Sequence, residues 1–183
     1  QDTTITTSGK YGVYATTASL ARNTIQGFGQ YPVSVTAPSI AGIVDPASGN
    51  DVVADAGGVR NTYEIRGGNV AKDATWPALP EGFAYLLQSA TITSVQGLPA
   101  PTLTIGDGAV IKFGPNSGQT GTYLQIGHGT EGIKGGKLLA TGATFTSALD
   151  DSVAGDSTGD GATAPTKGQY GGIVFLDFAS DAS

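Results

Sequence analysis

Residues 4–23, TITTSGKYGVYATTASLARN, align without a gap on residues 24–43, TIQGFGQYPVSVTAPSIAGI. Thr4 meets Thr24, Ile5 meets Ile25, Gly9 meets Gly29, Tyr11 meets Tyr31 and Val13 meets Val33. Thr16 then meets Thr36, and Leu20 meets Ile40. A unit this short cannot bury its own apolar side chains, so its copies must stack on one another. A period of 20 residues corresponds to about one turn of a β-solenoid. An antiparallel β-sandwich would also supply short strands, but it has no reason to repeat itself without a gap. The repeat therefore predicts that Ile5, Ile25, Val13 and Val33 point inward and stack, with strands about 4.8 Å apart. Tyr11 and Tyr31, one period apart, are expected to stack between layers.

Later segments keep the same units with less regularity. YLLQSATITSVQG, PTLTIGDGAVIKFG, YLQIG, GKLLATGATFTS and GGIVFLDF are short runs of strand type separated by Gly, Pro, Asn or Asp. Glycine supplies 29 of the 183 residues, a share that suits tight turns between strands and suits long helices poorly. No amphipathic helix is predicted, and residues 16–23 have room for one helical turn at most. Leu103 and Ile105 precede Leu124 and Ile126 by 21 residues, which reads as one further turn. Residues 45–60, 114–122 and 150–167 read as polar loops between coils. The expected class is all-β: a right-handed parallel β-helix with long polar loops, forming one domain over 1–183. Residues 1–43 would hold two coils, and 44–75 an irregular coil with a loop.

Charge narrows the partners. The formal net charge is −6, the pI is about 4.4 and the nine Lys and Arg residues are scattered. Phosphate binding needs a basic stripe, so nucleic acid is not an expected partner. No apolar run approaches the roughly 18 residues that a membrane-spanning helix requires. Cysteine is absent, which excludes disulfides and thiol chemistry. Methionine is absent even at position 1, so the chain is expected to start at a processed or cut terminus. An acidic, lysine-poor chain rich in Thr, Ser and Gly has the look of a secreted microbial surface protein, and the expected location is extracellular.

From residue 76 onward the chain resembles a family. Trp76-Pro77, Tyr85-Leu86-Leu87, ATITSV, PTLTIGDGAVIKFG, YLQIG, GGKLLATGATFTSALDDSVAGDSTGDG and GQYGGIVF together resemble bacterial surface proteins with a right-handed parallel β-helix, such as adhesin and passenger-like repeat regions. Tyr170 stands where that pattern usually has Trp. The resemblance covers about residues 76–178. It implies the fold; for function it implies only a surface protein, because adhesins, passenger domains and other repeats share the pattern.

Enzyme motifs are incomplete. His128, within Gly127–Gly129, and the pair Asp150–Asp151 are elements found in pectin-hydrolysing β-helix enzymes, where paired carboxylates act as acid and base. Their order is reversed here and no Arg-Ile-Lys completes the set. A polysaccharide lyase would need calcium and a basic residue in a cleft, and no sequence cluster supplies them. Recurrent Thr-x-Thr pairs (4/6, 91/93, 102/104, 144/146) match the outer face of strands. The best ligand candidate is Asp156, Thr158, Asp160 and Gly161, which imitates the opening of a calcium loop. Threonine replaces one ligand there, and no glutamate follows at the twelfth position.

The ends of the solenoid carry the functional expectation. Ile173, Val174, Phe175, Leu176 and Phe178 form an apolar run, with Ile173 and Phe175 on one face. The other end begins with Thr4, Ile5 and Thr6. Strand edges and core cross-sections at both ends are sticky. The expectation is a structural surface-fibre subunit that pairs with itself head to tail through these two sets of residues. A rod-like adhesin fragment that binds cell-surface glycan, and a polysaccharide-active enzyme, are the alternatives.

Overall fold

The repeat is realised as a ladder. In the computed structural model, which describes residues 2–55, 57–88, 92–97, 99–115, 122–130 and 135–180, the first copy supplies β1 (Thr3–Ile5) and β2 (Tyr11–Tyr14). The second supplies β3 (Asn23–Ile25) and β4 (Tyr31–Val35). β1 pairs with β3 and β2 with β4, both parallel, in the register of the alignment: Thr4 opposite Thr24, Ile5 opposite Ile25, Tyr11 opposite Tyr31 and Val13 opposite Val33. Ile25 and Val33 are fully buried, and Ile5 and Val13 pack on them as half-buried members of the core. Burying such a side chain contributes roughly 1.5–3 kcal/mol. Tyr11 and Tyr31 stack with ring centres 6.3 Å apart. Gly29 recurs from Gly9 for a steric reason: a Cβ at Gly29 would lie 2.5 Å from the Gly9 carbonyl oxygen.

The second copy ends in a helix that the sequence reading did not predict. α1 (Ala37–Val44) follows β4 directly, with Pro in its first turn, where proline's missing N–H costs nothing. Ala37, Ser39, Ile40 and Ile43 are its buried residues. Residues 17–24, aligned with it in the first copy, contain no helix. Its reason for forming is tertiary. α1 lies against β7 (Gly68–Val70) and β8 (Ala74–Trp76), which buries its apolar residues. The two copies are tied by side chains: Thr36 Oγ1 donates to the Thr16 carbonyl at 2.5 Å, and Ser39 Oγ donates to the same carbonyl at 3.3 Å. The stretch 45–60, expected as a loop, holds a 3-10 turn (Pro46–Ser48) and β5 (Asp51–Val52) before β6 (Thr62–Ile65).

The remaining strands are β9 (Ala84–Leu87), β10 (Ile92–Val95), β11 (Thr102–Ile105), β12 (Val110–Phe113), β13 (Tyr123–Ile126), β14 (Lys137–Ala140), β15 (Thr144–Ser147) and β16 (Gly172–Phe175). They form four sheets of orders β1-β3-β5, β2-β4-β6-β9-β12-β15, β7-β10-β13-β16 and β8-β11-β14, and every pairing is parallel. The class is thus mostly β. Three successive circuits, β7-β8-β9, β10-β11-β12 and β13-β14-β15, visit the same three sheets in the same order. Among the described residues no helix is long and apolar enough to cross a membrane.

The 21-residue spacing between Leu103 and Leu124 is not a circuit. Leu103 sits in β11 between Ala74 and Leu138, whereas Leu124 sits in β13 beside Ile173. The two lie in different sheets. Any strand buried on one face shows the same L-x-I alternation, so the pattern marks a strand and not the sheet it joins. Actual repeats here run from 20 residues (Ile5 to Ile25) to 49 (Leu124 to Ile173), because loops of different length are inserted between sheets.

One row crosses the whole six-stranded sheet on its core side: Val13, Val33, Tyr63, Tyr85, Ile111 and Phe145. Aromatic stacking continues from it, with Trp76 against Tyr85 at 5.6 Å and Phe113 against Tyr170 at 4.9 Å, the latter pair with nearly parallel ring planes.

Candidate functional site

The outer face of the six-stranded sheet gathers most of the molecule's unusual chemistry. Alternation puts Tyr14, Ser34, Glu64, Leu86, Lys112 and Thr146 in one row there, each opposite the next. An outward row on a sheet is ordinarily wet. Here Ser34, Glu64, Leu86 and Lys112 are all buried, because residues 148–161 and a tyrosine cluster cover them.

Lys112 is the centre of the covered part. Its ammonium donates to the backbone carbonyls of Asp150 at 2.8 Å and Gly155 at 2.6 Å. Burial pushes its pKa down, while the charges of Asp151, Asp150 and Asp156 pull it up. The ammonium thus ties two backbone carbonyls of the 148–161 loop to the sheet. Arg60 clamps the far side. Its Nε donates to the Thr158 carbonyl at 3.2 Å, a terminal nitrogen donates to the Gly29 carbonyl at 3.0 Å, and its backbone N–H donates to the Asp156 carbonyl at 2.7 Å. Arg60 adopts φ = 58°, a left-handed conformation uncommon for arginine and held here by those three bonds. A Cβ at Gly159 would meet the guanidinium at 2.3 Å, and φ = 74° there is a conformation that glycine adopts without strain.

The expected calcium residues lie in this loop. Asp156 accepts from the backbone N–H groups of Gly159 (2.6 Å), Gly161 (3.0 Å) and Thr158 (3.1 Å). Burial raises its pKa, but those donors outweigh it and the net shift is downward. Thr158 Oγ1 donates to the Asp160 carboxylate. Both Asp156 oxygens are therefore spent on the loop's own amides. Among the described residues no group of three or more His, Cys, Asp or Glu side chains converges to hold a metal. Asp150 is held below its usual range by the hydroxyls of Ser152 and Thr146, at 2.5 and 2.6 Å.

These depressed carboxylates predict an acid response. A carboxyl whose folded pKa is lowered stabilises the fold above its unfolded pKa of about 3.9, and loses that contribution as pH falls through the folded value. Urea midpoints measured from pH 7 downward should drop below about pH 4. The drop should be shallower in the Asp150→Asn, Asp156→Asn double variant, which starts from a lower midpoint at pH 7. An identical profile for the double variant would exclude these two groups as its source.

The remaining expected elements are placed as follows. His128 lies just after β13, where its Nδ1 accepts the Thr130 N–H at 3.0 Å. Among the described residues no hydrogen bond joins it to Asp150 or Asp151. The threonine pairs do not form ranks: Thr104 is flanked by Thr75 and Leu139, and Thr4 by Thr24 alone. Thr24 is followed by Asp51. Thr91 lies outside the described residues. At the near edge of the sheet, Tyr11 and Tyr14 rings are 4.9 Å apart, and the Arg66 guanidinium sits 3.9 Å over the Tyr14 ring. Glu64 accepts from the Ser34 hydroxyl beneath them.

The assembly residues sit on outermost strands. β14, β15 and β16 are each last in their sheets, and β1 and β2 are outermost at the opposite edges. Ile173 and Phe175 share the core side, opposite Leu124 and Ile126 as the alternation predicts. The strand stops at Phe175, so Leu176 and Phe178, expected in the same run, fall in the turn that follows. That segment folds back: Gly135 donates to the Phe178 carbonyl and Ser180 to the Gly136 carbonyl. Phe175 remains 62% exposed and Leu139 45%, although Ile126, directly beneath Phe175, is completely buried.

Sequence reading missed Lys112, Glu64, Arg60 and Arg66 as a site. The available signal was the polar residue inside each strand, Lys in VIKF and Glu in TYEI. Alternation places both on an outer face, but only the long-range cover makes them unusual. Compared with known proteins, the chain matches no protein family, no curated protein and no solved structure.

Proposed function

We propose that this chain is a right-handed parallel β-helix and that it serves as a structural, extracellular subunit of a fibre, stacked head to tail. The observation that carries the reading is Phe175. It occupies a core-side position above a fully buried Ile126, yet it is 62% exposed. A side chain patterned for the core and left open to water is a surface prepared for another layer. β14 and β15, in the circuit on which β16 stacks, are outermost in their sheets among the described residues and offer backbone donors and acceptors to parallel strands. The interior is spent on apolar stacking, and the buried ammonium of Lys112 is spent on holding a loop, which suits a load-bearing role. A head-to-tail contact of this kind is heterologous and propagates unless it closes into a ring.

A second reading, glycan binding on an adhesin, is favoured by Tyr11, Tyr14 and Arg66 meeting beside Glu64 at the sheet's edge. Aromatic faces with adjacent polar groups suit sugar rings, but Arg66 already covers the Tyr14 face.

Electron microscopy and sedimentation of the purified chain at rising concentration test the assembly. Filaments or a concentration-dependent series of oligomers are expected. Phe175→Asp should shift that series towards monomer without changing the circular dichroism spectrum. A monomer at every concentration, for the unsubstituted chain, would overturn the fibre reading.

A further inference from the structure

We infer that the joint between successive copies has one fixed register: β15 of one copy receives β2 of the next, with Phe145 beside Val13 and Thr146 beside Tyr14, while Leu138 on β14 lies beside Ile5. This rests on the head-to-tail reading and goes beyond it by naming the contacts.

Three observations lead there. First, the outermost strands of the six-stranded sheet are β15 and β2, and all six run parallel. The free edge of β15 therefore accepts a strand of the same direction, and the free edge of β2 presents one. Second, the core-side row begins at Val13 and ends at Phe145, and the outer row begins at Tyr14 and ends at Thr146. Continuing both rows across the joint fixes which residues meet. Third, the two terminal circuits match in the offset between the six-stranded sheet and the strand before it, although the circuits between them vary, with Val52 to Tyr63 and Ala74 to Tyr85 eleven residues apart. Ile5 precedes Val13, Ile25 precedes Val33 and Leu103 precedes Ile111 by eight residues each, and Leu138 precedes Phe145 by seven. The pair Leu138 and Phe145 thus presents the same two-point spacing as Ile5 and Val13, to within one residue.

Other registers fail on side-chain direction. A one-residue slip turns every core-side residue outward. A two-residue slip one way sets Phe145 beside Tyr11, whose ring belongs to the outer cluster with Tyr31, Leu86 and Ala148. The opposite slip sets Leu138 beside Thr7, a polar residue beyond the end of β1 with φ = 56°. In the favoured register, residues 15–22 of the incoming copy follow β2 as β16 follows β15. Ala18 and Leu20, already half-buried against their own core, then come over Ile173 and Phe175.

The chain has no cysteine, so engineered pairs report cleanly. Positions 14 and 146 lie on strands separated by four others, roughly 24 Å apart at the usual strand spacing. A disulfide needs Cα atoms within about 7 Å, so it can form only between copies. Under mild oxidation, the Tyr14→Cys, Thr146→Cys variant should give a ladder of covalent multimers on a non-reducing gel. The Tyr14→Cys, Thr144→Cys variant should give at least tenfold less. Each preparation is imaged before oxidation. Filaments without the 14/146 ladder, or with equal ladders from both pairs, would overturn the register and leave head-to-tail stacking in place. Monomers and no ladder from either pair would overturn both.

Discussion

Lys112→Ala is expected to lower folding stability by about 3–5 kcal/mol, the scale of two buried hydrogen bonds from a charged donor. Lys112 has no exposed surface, and its ammonium donates to two carbonyls at 2.6 and 2.8 Å. Hydrogen bonds from a charged donor contribute roughly 1.5–3 kcal/mol each. Removing the ammonium also takes away the positive charge that Asp151, Asp150 and Asp156 attract. Against this stands the cost of burying the ammonium, visible in its lowered pKa. The loss should win, because the carbonyls and carboxylates stay where they are when the cation goes. Lys112→Met separates the contributions: it keeps the stem's packing and removes only the charge and its donors. Its urea midpoint should lie between those of the unsubstituted chain and the alanine variant. A methionine variant as stable as the parent would mean that the ammonium makes no net contribution and that the loop is held by Arg60 and its own turns.

The second large effect belongs to Trp76. Trp76→Ala should cost about 3–5 kcal/mol, as large-to-small changes of a buried aromatic do. Trp76 is fully buried and stacks on Tyr85 with ring planes 27° apart. Tyr85 belongs to the core-side row and anchors its hydroxyl on the Pro77 carbonyl at 2.8 Å. The alanine variant removes one wall of that stack, and the circuit β7-β8-β9 then meets the next across a cavity. Trp76→Phe should be far milder, below about 1.5 kcal/mol. Phenylalanine keeps an aromatic ring in place, and it deletes the indole N–H, which is buried with no partner among the described residues. The two variants can be compared by circular dichroism during urea unfolding. A phenylalanine variant as unstable as the alanine one would show that the indole's full size, rather than an aromatic face, is what the layer requires.

The sequence by itself determined the first ladder. Residues 4–43 repeat without a gap, and similar short units satisfy their backbone and bury Ile5, Ile25, Val13 and Val33 by lying parallel and in register. The alternation of Ile173 and Phe175 was legible for the same local reason, since side-chain direction along a strand has period two. Beyond residue 43 local pattern no longer named the partner. LTI and LQI read alike, and only the tertiary structure assigned one to the sheet of β14 and the other to the sheet of β16. α1 escaped because its reason for being helical is the pair of strands it covers, which lie some 30 residues later in the chain. The outer-face site was decided the same way. Lys112 and Glu64 sit at ordinary solvent-facing positions in their strands. What buries Lys112 is a loop whose closest carbonyls, of Asp150 and Gly155, come 38 and 43 residues later. A residue's direction is set by its neighbours in sequence, whereas its burial is set by whatever the chain later lays over it.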